Sequence, residues 1–309
     1  MLSHRFLLLI TILLLCGSAS VSAQTPQKAI DHFQHGATKF KNGDLDGAID
    51  DFTEAILISS HLTPTPLRNS LTDDNNKITV IDPFTATAYG NRGYARLRKG
   101  DVDGAIADFD QSLRINPGSA PTYLNRGSAR NAKGDTIGAL ADWNRAIAID
   151  DQMAEAYVNR GRIRGDSGDA AGAFTDLDRA LSLNPRLAVA HFFRGWLYWD
   201  RRDFDGAVAD FNRAIELNPR FAAAYGARGA ARLAKNDPNA AIADFGRALE
   251  IDPSLSSAYL NRGLALLLQG KEAEAKKDLD RCVALKPESR DEVETRAKFA
   301  REIRGSAVK

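Results

Sequence analysis

The chain has 309 residues, 44% hydrophobic and 26% charged, which excludes a disordered or collagen-like polymer and leaves two ordinary domains or one elongated repeat array. With 41 basic against 40 acidic residues the formal charge is +1, so no basic excess marks a nucleic-acid or anionic-membrane footprint. The two cysteines, Cys16 and Cys282, set a tight limit on disulfide bonding.

The first element is an address rather than a fold. His4 and Arg5 precede an unbroken apolar run over residues 6–15, and small residues lead to Val21, Ser22 and Ala23, the pattern of a secretory signal peptide cleaved before Gln24. The run is shorter than the roughly 20 apolar residues that span a bilayer. Residues 1–23 are therefore expected to be removed, leaving an exported chain with no integral membrane segment. A lipid anchor on Cys16 is the weaker reading, because Leu15 stands where a lipoprotein signal has a small residue. Cleavage would leave Cys282 as the lone thiol, so packing alone must hold the exported fold. A disulfide-free exported protein of this kind suits the bacterial periplasm.

After the leader the chain repeats. Gly93, Gly127, Gly161, Gly195, Gly229 and Gly263 stand 34 residues apart, within GNRG, LNRG, VNRG, FFRG, GARG and LNRG. Four residues before each marker glycine lies Tyr or His, twelve after it Ala, and sixteen after it a bulky apolar residue: Phe109, Trp143, Leu177, Phe211, Phe245 and Leu279. Small residues allow two helices to approach, and the large ones fill the space between. Gly100, Gly134, Gly168 and Gly270 suit the left-handed position that ends a helix. Asp101, Asp135 and Asp169 can cap the next helix, and Pro117, Pro185, Pro219, Pro253 and Pro287 close it. Each unit reads helix, tight turn, helix.

A diverged first unit carries Gly36, Gly43, Asp44, Ala48, Phe52 and Ala55 at the same spacings. It is separated from the second by a 23-residue insertion within about 57–83 (one period is 34 residues and Gly36 to Gly93 is 57), read as a polar surface loop. At the other end, residues 288–309 carry Val293, Ala297, Phe299, Ala300 and Ile303 as an apolar arc, expected to form a helix that caps the last unit.

This pattern resembles the tetratricopeptide repeat, in a variant with an Asn-Arg-Gly tripeptide and an Ala-x-Ala-Asp-Phe-like second helix. The resemblance implies an all-α, right-handed superhelical solenoid: seven helix-turn-helix units over residues 24–287, first helices lining a concave face. Arg stands before the marker glycine where the family usually has Leu.

Those arginines recur as Arg92, Arg126, Arg160, Arg194, Arg228 and Arg262, with Arg96, Arg130, Arg164 and Arg232 four residues on, where like charges repel. Asp108, Asp142, Asp176, Asp210, Asp244 and Asp278 supply one carboxylate per unit on the second helix. An Arg/Asp ladder fixing the register of the hairpins is the expected arrangement, and a clamp for an acidic ligand the alternative.

For chemistry the sequence offers little: no zinc-protease helix motif, no paired Cys/His spacing, no nucleophile elbow and no phosphate loop. No catalytic residue, metal site or cofactor is predicted. The nearest approach to a carboxylate cluster is Glu155, Asp166 and Asp200, one or more helices apart. The unusual stretch is HFFRGWLYWDRRDF, residues 191–204. His191 and Tyr198 fall on the family's packing positions, whereas Phe192, Trp196 and Trp199 lie at i, i+4 and i+7 on places that the resemblance assigns to the concave face. With Tyr94, Asn125 and Asn159 they form the predicted site for a protein or peptide partner. Lysines of the kind that clamp a terminal carboxylate are missing from those places. The function expected is thus a non-catalytic adaptor, with a carrier of an apolar small molecule or lipid as the alternative.

Overall fold

A computed structural model describes residues 27–60, 70–72, 78–80 and 83–307. The leader, including Cys16, lies outside the described residues. Two compact units emerge, Met1–Ile163 and Arg164–Lys309.

In the first unit, α1 (Gln27–Lys41) and α2 (Leu45–Ser60) form a hairpin, followed by strands β1 (Ser70–Thr72) and β2 (Ile78–Val80). The strands pair antiparallel, Ser70 with Val80 and Thr72 with Ile78, so the insertion is not the plain loop expected. β-branched Ile78, Thr79 and Val80 favour the extended backbone there. Two hairpins follow, α3 (Pro83–Lys99) with α4 (Val102–Ile115) and α5 (Ala120–Lys133) with α6 (Thr136–Ile149), and then α7 (Ala154–Asp166), inside which the unit boundary falls.

The second unit continues with α8 (Ala170–Leu183), α9 (Ala188–Asp200), α10 (Phe204–Leu217), α11 (Ala222–Ala234), α12 (Pro238–Ile251), α13 (Ser256–Leu268) and α14 (Glu272–Leu285). A single 3-10 turn leads to α15 (Arg290–Ala307). Within each unit, α1 with α2, α3 with α4, α5 with α6, α9 with α10, α11 with α12 and α13 with α14 pack most extensively, and α2, α4, α8, α10 and α12 each pack on the helix that follows. Among the described residues no helix is long and apolar enough to cross a membrane.

The cause of this stacking lies in the residue sizes. Ala105, Ala139, Ala173, Ala207, Ala241 and Ala275 are fully buried, and Phe109, Trp143, Leu177, Phe211 and Phe245 fill the space opposite. Gly127 and Gly195 are the tightest of these approaches: a Cβ there would stand 2.6 Å from the rings of Trp143 and Phe211 respectively. The turns follow equally local rules. Gly134 ends α5 at φ 91°, and the Asp135 carboxylate accepts from the Gly138 amide at 2.8 Å to cap α6. In the two hairpins without that glycine the backbone still turns left-handed, forcing Arg202 to φ 59° and Asn236 to φ 62°.

The C-terminal helix differs from expectation in its face. Val293, Ala297 and Ala300 are buried against Leu260, Leu264 and Leu267 of α13, whereas Phe299 (62% exposed) and Ile303 (45%) face solvent. The contact is at i, i+4 and i+7, too narrow a stripe to include all five. Arg304 locks it by donating to the Leu267 carbonyl at 3.2 Å and to Glu272 at 3.0 Å. Leu260, Leu264 and Leu267 are therefore covered by the C-terminal helix.

Two substitutions test these local rules. Arg202→Gly should raise unfolding stability by about 1 kcal/mol, because glycine removes the steric cost of the left-handed turn. Gly195→Ala should lower it by roughly 1–3 kcal/mol through overpacking on Phe211. Urea denaturation of both variants reads the two signs.

Candidate functional site

The polar framework is built from the second helices. Asp108, Asp142, Asp176, Asp210, Asp244 and Asp278 are all buried, Asp176 to 1% exposure, so each carboxylate has lost its hydration and must be compensated. Forked donation from the first helix supplies that. Arg92 reaches Asp108 at 2.9 and 2.7 Å, and Arg126 reaches Asp142 at 2.9 and 2.7 Å. Arg194 on Asp210, Arg228 on Asp244 and Arg262 on Asp278 repeat the geometry in the second unit. Arg96, Arg130, Arg164 and Arg232 add a donor to the same carboxylates at 2.8–2.9 Å, which explains how like charges four residues apart coexist.

Three features of this framework escaped the sequence reading. The first-helix arginine also reaches back to the preceding hairpin: Arg126 to Asp110 at 2.6 Å, Arg160 to Asn144 at 2.7 Å, Arg194 to Asp178 at 2.7 Å and Arg228 to Asn212 at 2.7 Å. The repeating tyrosine is its seat, with guanidinium carbons 5.3–5.8 Å from the rings of Tyr89, Tyr123, Tyr157, Tyr225 and Tyr259. Where His replaces Tyr it bonds the carboxylate directly, His191 Nδ1 lying 2.9 Å from Asp210 and His32 Nδ1 3.2 Å from Asp51. A signal was present in all three cases, since these residues recur at constant spacing.

Burial on its own would raise the Asp210 carboxyl, but donation from Arg194 and His191 outweighs it and holds the group below the usual aspartate range. Arg194 is pushed upward in turn, chiefly by its bond to Asp210.

The residues predicted for partner binding fall in both units. In the first, Tyr94 is buried rather than accessible, 6% exposed, its ring 5.2 Å from that of Phe40; burial pushes its phenol up. Asn125 is half-buried on α5. Asn159 is 6% exposed, yet its amide nitrogen Nδ2 has no hydrogen-bond acceptor.

In the second unit α9 splits its aromatic residues between core and surface. Phe192 departs from the expected accessible position and is a core side chain, 1% exposed, with ring centroids 4.8 Å from Phe221 and 5.9 Å from Phe211. It packs where α11 buries the small residues Ala224, Ala227 and Ala231 in the same cluster. Trp196 and Trp199 lie above that layer and are half-buried. Trp196 meets Phe192 edge-on (6.3 Å, 87°), Phe211 (5.8 Å, 70°) and Trp199 (5.8 Å, 71°); Trp199 rests on Phe204 (5.1 Å, 62°). Edge-to-face contacts of this kind fix both indoles while leaving part of each surface in water. Tyr198, expected in the core, is half-buried against Phe174 at 5.1 Å. One period later in the chain the places equivalent to Phe192 and Trp196 are Gly226 and Ala230.

The framework predicts two outcomes. A double-mutant cycle of Arg126→Gln with Asp142→Asn should show coupling above about 1 kcal/mol in stability, since either single change strands a buried group; additive effects would contradict the ladder. Because the folded Asp210 carboxyl is depressed, its stabilisation is fully present above the unfolded aspartate value of about 3.9 and is lost as pH falls through the lower folded value. Denaturation midpoints between pH 7 and 3 should therefore fall more steeply for the native chain than for Asp210→Asn.

Tetratricopeptide repeat profiles match residues 86–119, 154–187, 192–256 and 256–289, together more than half of the chain. No curated protein matches. Among solved structures, a tetratricopeptide repeat protein from Parabacteroides merdae superposes with a TM-score of 0.62 at 19% identity, over 89% of this chain and 99% of that one. Pseudomonas aeruginosa pilF gives 0.61 at 16% identity, over 68% and 96% of the respective chains. PilW, a type IV pilus biogenesis factor, gives 0.59 at 18%, over 64% and 92%. At these identities the likeness speaks for fold alone. The matched profiles and the observed succession of helical hairpins lead to one conclusion: the chain belongs to the tetratricopeptide repeat family.

Proposed function

We propose that the protein is an exported, non-catalytic adaptor that holds a segment of a partner protein against the first-helix face of its repeats, with α9 as the main contact. The observation that carries this reading is the pair Trp196 and Trp199, held by edge-on contacts and only half-buried. Ordered, partly exposed tryptophans over a packed aromatic layer have the character of interface hot spots, because little conformational freedom remains to be lost on binding. Phe192 supports them from below instead of touching the partner.

In the first unit, the Asn159 amide is a buried donor without an acceptor among the described residues, a condition that costs roughly 1–3 kcal/mol. Asn125 occupies the same register one repeat earlier. The Arg/Asp ladder contributes rigidity rather than binding, since its arginines are already engaged with carboxylates. The leader-like residues 1–23 support the proposed export to a bacterial periplasm.

Affinity capture from the envelope extract of the source cell tests this. Native protein should retain a specific partner that Trp196→Ala/Trp199→Ala loses at least tenfold, with both proteins showing the same helical circular dichroism. Equal retention by the two would overturn the assignment to α9.

A further inference from the structure

The helix α15 keeps the register of a first helix but not its seat. Counted by the 34-residue period, Glu292, Arg296, Phe299 and Ile303 occupy the four places that a first helix turns toward the second helix before it. In the other repeats the first of these places holds Ala88, Thr122, Ala156, Ala190, Ala224 or Ala258, all buried. The third holds Ala95, Ala129, Ile163, Leu197, Ala231 or Ala265, also buried. Thr122 thus meets Ser112 of α4 at 3.3 Å, and Ala258 packs with Leu249 of α12.

Glu292 and Phe299 do not suit that seat. A carboxylate there would lose its water, and a phenyl ring would overpack a gap sized for alanine. Accordingly α3, α5, α11 and α13 rest chiefly on the second helix before them, whereas α15 rests chiefly on α13 and leaves Glu292 and Phe299 exposed. Its Arg296 donates to Asn261 of α13 at 3.4 Å and to Glu292 at 3.2 Å. The seat on α14 is therefore an open groove of about 910 Å³, with Leu279 and Val283 on one wall and Val293 and Ala297 of α15 on the other.

Charges along the groove balance, Glu272, Asp280 and Glu294 against Lys276, Arg290 and Arg301, so selectivity depends on their positions rather than on net charge. Asp280 is the counterpart of Asp110, Asn144, Asp178 and Asn212, each of which accepts from the arginine of the following helix at 2.6–2.7 Å. Lys276 stands where the earlier repeats have Ile106, Leu140, Phe174, Val208 and Ile242. Phe174 shows what faces that place: Arg201, at the fourth position of the seated face of α9, lies over its ring at 4.1 Å. Lys276 and Asp280 bond each other at 2.7 Å, both largely exposed.

We infer that this groove is a second docking surface, apart from α9, which seats an amphipathic helix of a partner protein with the face Ala-x3-Arg-x2-Ala-x3-Glu. The two alanines lie on Val283 and Leu279 as their counterparts do on Leu249 and Phe211, the arginine replaces Lys276 on Asp280, and the glutamate takes Lys276. A second copy of the chain does not supply this helix from α1, whose four places hold Asp31, His35, Thr38 and Asn42.

A labelled, blocked, alanine-based helical peptide of about 18 residues carrying that face tests the inference by fluorescence anisotropy with the purified protein. It should bind about tenfold more tightly than the same peptide with arginine and glutamate exchanged. Lys276→Glu/Asp280→Lys should reverse that preference, and Val283→Glu should abolish binding, each with native circular dichroism because these side chains are exposed or half-buried. Trp196→Ala/Trp199→Ala should bind the peptide like the native chain, so the outcome is independent of the α9 face. Absence of binding, equal binding of the two peptides, or a preference that survives the double substitution would overturn the inference. Loss of binding with the tryptophan pair would overturn it by moving the peptide to α9. Self-association that Val283→Glu abolishes would overturn it by giving the groove to a second copy.

Discussion

One buried carboxylate per hairpin governs this architecture. Each second helix carries an aspartate that is almost wholly withdrawn from water, a position that costs several kcal/mol unless cations reach it with good geometry. The arginine before the marker glycine meets that demand with a forked pair of bonds, and its third nitrogen bonds the preceding hairpin where a polar partner stands there. Since a guanidinium fork tolerates little displacement, the same contact that neutralises the aspartate sets both the angle within a hairpin and the step between hairpins. Apolar packing of alanine against phenylalanine supplies the bulk of the cohesion, but it is far less directional. The charged network selects one register from the several that such packing allows.

Variation between repeats follows from this constraint. The first repeat has His35 in place of the arginine, and Lys39 with His32 takes over Asp51 at 2.9 and 3.2 Å. The fifth has His191 where five other repeats place a tyrosine under the guanidinium, and the imidazole joins Arg194 on Asp210. Both replacements keep a cationic or imidazole nitrogen within 3.2 Å of the carboxylate. With the framework thus secured, side chains on the outer part of the first helices are free to differ, and α9 has used that freedom for two tryptophans.

Much of this was legible in the amino-acid order because it repeats. The 34-residue spacing of glycines, the alanines twelve residues later and the arginine–aspartate separation of sixteen each follow from one hairpin, so seven copies make the pattern plain. What could not be read depends on contacts outside that period. Phe192 sits where a first-helix residue can turn outward or inward, and it is buried in one cluster with the alanines of α11. Phe299 and Ile303 belong to an apolar arc broader than the stripe that α13 can cover. The strand pair in the insertion has no repeat to announce it, and Arg202 and Asn236 adopt left-handed backbone because the hairpin geometry overrides residue preference.

The apolar residues of α13 and α9 differ in consequence. Leucines at the C-terminal repeat are sealed by α15, whereas the indoles of α9 stay in contact with solvent. The account stands on that contrast in accessibility. Hydroxyl-radical footprinting with residue-level mass spectrometry measures it directly. In the free protein Trp196 and Trp199 should oxidise readily while Trp143 is spared, and a bound partner should protect the first two. Uniform protection of all three in the free protein, or undiminished oxidation of Trp196 and Trp199 in the complex, would contradict it.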